Sequence, residues 1–146
     1  VEAACFESVT VLLQKEVAQR LAAPQGSSGG GAFTLWLQYH METEVLFDVP
    51  ADRFFPAPKV DSAVLRCVRR ERPAVAVEDE AFFFRVVRGA FLLRRKTLAN
   101  SLAAALPERG REAVQAAIER CGLPPSVRGE ALTLEDFARL AAELGS

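Results

Sequence analysis

Two adjacent aromatic residues, Phe54 and Phe55, open a loop that contains Pro56 and Pro58. Each proline restricts φ and disfavours helix around it, so the loop presents its aromatic side chains. A flat ring at the mouth of a sheet can stack on a nucleobase, which repays about 1 to 3 kcal/mol of the cost of unstacking that base. The pattern indicates that an aromatic of this loop can serve as a base-stacking residue. The alternative is that these aromatics belong to the core at a strand end.

A basic cluster, Arg94, Arg95 and Lys96, follows later in the chain. The net charge is −1, but positions 53 to 96 hold eleven Lys or Arg against five Asp or Glu. A basic region in an otherwise acidic chain is the electrostatic footprint of a partner with a phosphate backbone. The alternative is an arginine-rich surface that is merely solvated.

Helical spacing from 79 to about 93 places further cations near this cluster. If the helix continues through the cluster, Arg85, Arg88, Arg95 and Lys96 lie within an arc of roughly 100°, opposite an apolar stripe. Such a face suits docking on folded RNA by phosphate contacts, which position the partner without reading its sequence. The alternative is a solvated helix on which Arg94 or Arg95 forms structural ion pairs.

The motifs together resemble one enzyme family. Residues 54–62 match F-x-P-x-P-K-V-D-S and residues 91–100 match F-x-x-R-R-K-T-L-x-N, the pattern of the adenine-N6 dimethyltransferases of small-subunit ribosomal RNA. Residues 9–21 resemble a late strand and the following helix of that family. The resemblance implies S-adenosylmethionine as the methyl donor and Phe54 as the residue that stacks on the target adenine, with Phe55 at a variable position. Large-subunit rRNA dimethyltransferases share the fold, but the Lys-Val-Asp-Ser segment is closer to the small-subunit branch.

Two motifs of that family do not occur in this sequence, the cofactor-binding glycine loop and the Asn-Leu-Pro-Tyr loop. The resemblance therefore implies the C-terminal half of such an enzyme, inactive alone, with the cofactor bound mainly by a missing N-terminal half. The runner-up hypothesis is a non-catalytic RNA-binding or ribosome-assembly factor that retains the docking half.

The remaining polar residues near the loop have less specific interpretations. Lys59 is either a phosphate contact or a solvated loop lysine, and Asp61 is expected to order the loop by backbone hydrogen bonds. No general base is assigned, because a neutral adenine attacking a cationic methyl donor does not require a strongly basic side chain. Residues 14–16 could line the edge of a cofactor pocket, but such a polar trio commonly caps a helix, so they are left out of the site. The predicted RNA-binding residues are Lys59, Arg85, Arg88, Arg94, Arg95 and Lys96.

The elements that must position these residues follow from periodicity and breakers. The predicted elements are strands at 9–13, 44–49 and 60–69, and helices at 15–23, 32–41, 79 to about 93, 97–106, 111–121 and 133–144, with a loop at 24–31. Thr133 and Asp136 form a plausible N-cap pair for the last helix. The fold class is α/β followed by α: residues 1–72 are the trailing part of a Rossmann-like methyltransferase domain with a mixed sheet, 73–77 a linker, and 78–146 a small helical RNA-docking domain.

Composition is typical of a soluble globular protein, with 50% hydrophobic and 25% charged residues, and a cytoplasmic location is expected. No apolar run approaches the ~18 residues of a membrane span, and residues 1–5 do not resemble a signal peptide. Cys5, Cys67 and Cys121 are expected to be reduced thiols. No metal site is expected, because the only histidine, His40, lacks ligand partners at metal-binding spacing.

Overall fold

The computed structural model describes residues 7–26 and 31–145. The predictions for residues 1–5, for the Cys5 thiol and for the middle of the loop at 24–31 lie outside the described residues. The described chain divides into two compact units. The first comprises residues up to Pro24 together with Trp36–Ala74, and the second comprises Gln25–Leu35 and residues from Val75 onward.

The first unit alternates strands and helices in the predicted order. Its elements are β1 (Ser8–Gln14), α1 (Lys15–Leu21), the later residues of α2 (Ala32–His40), β2 (Met41–Val49), a short 3-10 helix (Ala51–Arg53) and β3 (Ser62–Arg69). Strand β2 begins three residues before the predicted start, directly where α2 ends. The other predicted boundaries differ from the observed ones by at most two residues.

The three strands form one sheet in the order β1-β3-β2. Strand β3 lies in the middle and runs antiparallel to both neighbours, so the described strands contain no parallel pair. A register shift between Val45 and Phe47 leaves Leu46 as the extra residue of a bulge in β2. The core of this unit joins one face of the sheet to α1 and α2 through Ala18, Leu37, Met41, Ala63, Leu65 and Cys67.

The carbonyl groups at the end of helix α1 accept hydrogen bonds from a buried glutamine of α2. The side-chain amide of Gln38 donates to the carbonyl oxygens of Leu21 and Ala23 at 3.0 and 2.9 Å, and the Thr43 hydroxyl donates to the same Leu21 oxygen at 3.2 Å. Carbonyl groups in the last turn of a helix have no partner within the helix, so these donors satisfy acceptors that would otherwise be buried unpaired. The contact fixes the position of α1 against the sheet.

The second unit is mainly helical. Its helices after residue 75 are α3 (Glu80–Ala90), α4 (Leu98–Ala105), α5 (Arg111–Arg120) and α6 (Leu134–Gly145), with a 3-10 helix at Gly129–Ala131. Fully buried side chains at helical spacing form its core, including Phe83, Val86, Leu98, Leu102, Leu134, Phe137 and Leu140. Within the described residues no helix is both long and apolar enough to cross a membrane.

Side-chain caps begin three of these helices. Thr133 and Asp136 exchange hydrogen bonds, the Thr133 amide donating to the carboxylate at 3.0 Å and the Asp136 amide donating to the Thr133 hydroxyl at 3.1 Å. This reciprocal arrangement confirms the predicted N-cap of α6. Asp79 caps α3 by accepting from the Phe82 amide, and Thr97 caps α4 in the same way.

The predicted C-terminal end of α3 was wrong. The helix ends at Ala90 and does not continue to 93, because the side chain of Ser101 enters its hydrogen-bond ladder. The Ser101 hydroxyl donates to the Gly89 carbonyl at 2.6 Å and accepts from the Leu93 amide at 3.0 Å. In a continuing helix the Leu93 amide would donate to the Gly89 carbonyl directly, so the inserted hydroxyl replaces one helical hydrogen bond with two hydrogen bonds through a side chain, and the chain turns.

Candidate nucleic-acid interface

The proline-rich loop, residues 50–61, is closed at its base by Asp61. One carboxylate oxygen of Asp61 accepts from the Ala51 amide at 2.9 Å, across the two ends of the loop. The backbone carbonyl of the same residue accepts from the Lys15 amide at 2.9 Å, at the start of α1. Asp61 therefore orders the loop, as expected from the sequence, and joins it to the end of β1.

Lys15 strengthens the same junction. Its ammonium group lies 2.9 Å from a carboxylate oxygen of Asp48, near the end of β2. The hydrogen bond to Asp48 and the negative charge of that group raise the pKa of Lys15, against a smaller lowering by burial, and Asp61 raises it further. Lys15 thus stays charged and is engaged by the protein itself, so it acts as a support of the loop base.

The two aromatic side chains of the proline-rich loop differ in exposure. Phe54 is half-buried, and its amide donates to the Ala51 carbonyl at 3.3 Å, at the end of the 3-10 helix. Phe55 has a relative exposure of 102%, so the alternative that it is a core aromatic is wrong. The Phe55–Pro56 peptide bond is cis. The loop therefore holds one supported ring and one ring that is open to solvent on both faces.

A polar cavity of about 420 Å³ lies between the first turn of α1 and the end of the proline-rich loop. Its lining residues are Gln14, Lys15, Glu16, Gln19, Lys59, Val60 and Asp61. The lining holds no glycine, whereas a nucleotide-type cofactor site of this fold class uses a glycine turn to bring the backbone close to the ligand. Residues 14–16 thus line a polar cavity that has no such turn in its described lining.

In the second unit, the predicted basic cluster lies on an irregular segment between two helices. We call residues 91–96 the basic turn; it begins at the end of α3 and precedes the Thr97 cap of α4. Arg94, Arg95 and Lys96 are all exposed there. Within residues 7–26 and 31–145 none of the three forms an ion pair with a carboxylate, so the alternative of structural ion pairs at Arg94 or Arg95 is wrong for this part of the chain.

The predicted cationic face on one continuous helix was also wrong. Since α3 ends at Ala90, Arg95 and Lys96 do not share a helix with Arg85 and Arg88. Arg85 is in addition bound by two hydrogen-bonding contacts to Glu108, at 2.6 and 3.0 Å. This bidentate pairing lowers the pKa of Glu108 and partly neutralises the arginine. Arg88 is exposed on α3 and Lys59 lies at the cavity described above, so the six predicted residues belong to different structural elements.

Ser101 is a positioning residue that sequence reasoning did not identify. It is fully buried in α4, and its hydroxyl ties the end of α3 to the first residues of the basic turn. The available signal was a serine among the leucines and alanines of an apolar helix face, where a hydroxyl requires a partner. The sequence alone does not show that the partner lies twelve residues earlier.

The remaining candidate ligands have ordinary packing environments. His40 makes edge-to-face contacts with the rings of Trp36 and Tyr39, at centroid distances of 5.0 and 4.9 Å. Cys67 and Cys121 are free thiols, and burial raises the pKa of both. Among the described residues no group of His, Cys, Asp and Glu side chains is arranged to hold a metal ion.

Comparison with known proteins connects these features to one family. The family profile described as ribosomal RNA adenine dimethylase matches residues 1–145. Among curated relatives, the ribosomal RNA small subunit methyltransferase A of Streptococcus sanguinis is 49% identical over 97% of this chain, and that of Lactococcus lactis is 45% identical over 95%. The matches cover 49% and 47% of those relatives, so the chain spans about half of their length.

Solved structures show the same similarity in three dimensions. The crystal structure of the 23S rRNA methyltransferase ErmE superposes with a TM-score of 0.72 at 26% identity, over 99% of this chain and 57% of that protein. A dimethyladenosine transferase from Plasmodium falciparum gives a TM-score of 0.73 at 20% identity over 92% of this chain and 56% of that protein, which shows a shared fold. The family resemblance stated from the two motifs is confirmed: this chain belongs to the ribosomal RNA adenine dimethylase family.

Proposed function

We propose that this chain is the C-terminal half of an S-adenosylmethionine-dependent enzyme that dimethylates N6 of adenosines in small-subunit ribosomal RNA. The family match and the names of its relatives support the reaction and the RNA substrate. The observation that carries the proposal is the closed proline-rich loop, which carries Phe54 and Phe55 and whose last residues line a polar cavity at the end of β1. The carboxyl ends of strands are where α/β folds place their ligands.

The chemistry requires a base that is held rigidly. Adenine N6 is a weak nucleophile because its lone pair is delocalised into the ring, so the enzyme must orient that nitrogen toward the methyl group to be transferred. S-adenosylmethionine supplies this methyl group in electrophilic form when it is bound. In our proposal Phe54 stacks on the extruded adenine, and its partial burial fixes the plane of the ring. Phe55, fully exposed, is the competing stacking residue.

The sheet indicates where the other half of the enzyme would attach. Strand β1 lies at one edge of the three-stranded sheet and pairs only with β3 among the described strands. Its seven residues therefore present unpaired backbone groups, and the half-exposed Leu12 adds apolar surface. We propose that a cofactor-binding half extends the sheet along this edge, which places its active-site loops next to the proline-rich loop.

The helical residues from 78 onward are, in this proposal, an RNA-docking domain. Arg94, Arg95 and Lys96 supply three exposed positive charges that are free to neutralise phosphates, and Arg88 adds a fourth on α3. Phosphate contacts position the substrate without specifying its sequence. The partner is an immature small ribosomal subunit or its RNA, which places the reaction in the cytoplasm.

The decisive experiment joins this chain to the N-terminal half of a family member and measures methyl transfer to immature small-subunit RNA. We expect N6-dimethylation by the joined protein and none by the chain alone. RNA binding without methyl transfer in the joined protein would instead support the assembly-factor hypothesis.

Single substitutions in the joined protein test the stacking residue. Phe54→Ala should lower the methylation rate much more than Phe55→Ala, since only the former removes the proposed stack. Thermal denaturation of each variant serves as the control for folding. Equal losses of activity, or an effect of Phe54→Ala on stability alone, would assign Phe54 to the core and contradict its proposed role.

A further inference from the structure

We infer that the polar cavity beside the proline-rich loop binds the ribose and phosphate of an RNA nucleotide that neighbours the stacked adenine. The inference rests on the proposed function, because it requires that the proline-rich loop contacts RNA. It adds two residues, Gln14 and Gln19, that the sequence motifs do not include, and it gives Lys59 a defined ligand. The cavity volume of about 420 Å³ lies within the range of sites for small ligands.

The charged groups of the cavity fall into engaged and free sets. Lys15 is bound to Asp48 at 2.9 Å, and the Asp61 carboxylate accepts from the Ala51 amide. Glu16 lies 3.5 Å from the guanidinium of Arg20, one turn later in α1. Lys15 and Asp61 are therefore engaged by close contacts within the protein, whereas the pair of the largely exposed Glu16 with Arg20 is a weak one.

Three lining side chains have no hydrogen-bond or ion-pair partner within the described part of the chain. Among the described residues, neither amide, Gln14 or Gln19, donates or accepts a side-chain hydrogen bond, and the ammonium group of Lys59 pairs with no carboxylate. All three residues are exposed. The groups of the cavity that remain available to a ligand are therefore one positive charge and two carboxamides, which both donate and accept hydrogen bonds.

This combination matches a ribonucleotide better than a simple anion. An ammonium group binds a phosphate as a point charge, and a carboxamide can donate to and accept from a ribose 2′-hydroxyl, which is itself both donor and acceptor. The 2′-hydroxyl is the group that distinguishes RNA from DNA at a single site. Lys15 and Asp61 are already held by contacts within the protein, so the ordering that binding requires is confined to the three exposed side chains.

The test measures binding of this chain to a fluorescently labelled RNA hairpin with unpaired loop adenosines, by anisotropy. A second hairpin carries 2′-deoxyribose at the loop nucleotides only. We expect the unaltered chain to bind the all-ribose hairpin about threefold to tenfold more tightly, the effect of one or two hydrogen bonds. The Gln14→Ala/Gln19→Ala variant should bind both hairpins equally. Gln115→Ala, an exposed glutamine on α5, is the matched control and should keep the discrimination.

Lys59→Ala tests the phosphate contact separately. It should weaken binding of both hairpins equally and lower the slope of log affinity against log salt by about 0.7, the value for one phosphate contact on a single strand. Circular dichroism of every variant checks folding, which we expect to be unchanged because the three side chains are exposed and form no hydrogen bond or ion pair among the described residues.

The outcomes separate this inference from the proposed function. Failure of the unaltered chain to bind either hairpin would overturn the proposed RNA-docking function and this inference with it. Binding without discrimination between ribose and deoxyribose, or discrimination that persists in the double glutamine variant, would overturn the inference alone. Loss of discrimination in the double variant, with the Gln115 control unaffected, supports it.

Discussion

Replacing Arg94, Arg95 and Lys96 together with alanine should remove a defined part of the salt dependence of RNA binding. Each side chain is exposed and has no carboxylate partner in the described chain, so each is free to release counterions from one phosphate. One contact contributes about 0.7 to 0.9 to the slope of log affinity against log salt. Three contacts therefore give an expected decrease of up to about 2 to 2.7 in that slope.

Arg85 provides an internal comparison, because it carries the same charge in a different environment. Its guanidinium is already paired with Glu108 through two short contacts, and a phosphate would have to compete with that carboxylate. Arg85→Ala should change the salt slope by much less than the one-contact value. A variant with Arg72, Arg120 and Arg128 all changed to alanine alters the net charge as much as the triple variant and controls for long-range attraction.

The assay is fluorescence anisotropy with an RNA hairpin from the small subunit, at several salt concentrations. The reasoning is supported if the triple variant lowers the slope strongly while the charge-matched control lowers it little. An unchanged slope in the triple variant would refute the phosphate contacts, and equal decreases in the two variants would show that only net charge matters. In either case the RNA-docking role of the basic turn would have to be withdrawn.

Three further predictions concern the residues that hold the second unit together. Ser101→Ala should lower the free energy of unfolding by about 1 to 3 kcal/mol in urea denaturation and speed hydrogen exchange at the Leu93 amide, because it leaves buried groups short of a partner; the exposed Ser126→Ala should do neither. Thr133→Ala should cost about 0.5 to 2 kcal/mol as the loss of a helix cap. Although burial raises the pKa of Asp136, hydrogen bonds from the Thr133 amide and hydroxyl and a neighbouring arginine lower it overall. Its contribution to stability is therefore complete above about pH 4 and lost as the pH falls through the lowered pKa, so Asp136→Asn should be less stable at neutral pH and less sensitive to acid.

Local sequence signals were sufficient to predict the proline-rich loop and the N-terminal cap of α6. Pro56 and Pro58 limit the backbone within a few residues, and Thr133 and Asp136 are three positions apart, so both features are encoded over a short range. Asp61 belongs to the same class, because its partner amide lies at the other end of the loop. Such features can be predicted without knowing the tertiary structure.

The errors arose where a distant residue decides a local feature. The apolar spacing of α3 continues past Ala90, but the hydroxyl of Ser101 interrupts the helix. Arg85 lies at a helix position that the sequence pattern predicts to be exposed and unpaired, but Glu108, which is distant in sequence, forms an ion pair with it. The three strands were predicted individually, whereas their order, with β3 between the others, depends on pairing between separated segments.

The same distant contacts explain why the predicted cations are not equivalent. A helix ending at Ala90 moves Arg94, Arg95 and Lys96 from a helix face to a turn, where their direction depends on the anchors at either end. Ser101 provides one anchor at Leu93, and the Thr97 cap of α4 provides the other. Both anchors belong to α4, which is packed against α3 so closely that a Cβ atom at Gly89 would lie 2.8 Å from that of Ala105. The orientation of the basic turn is therefore determined by the packing of two helices, and a change at this helix contact should alter RNA binding without removing any positive charge.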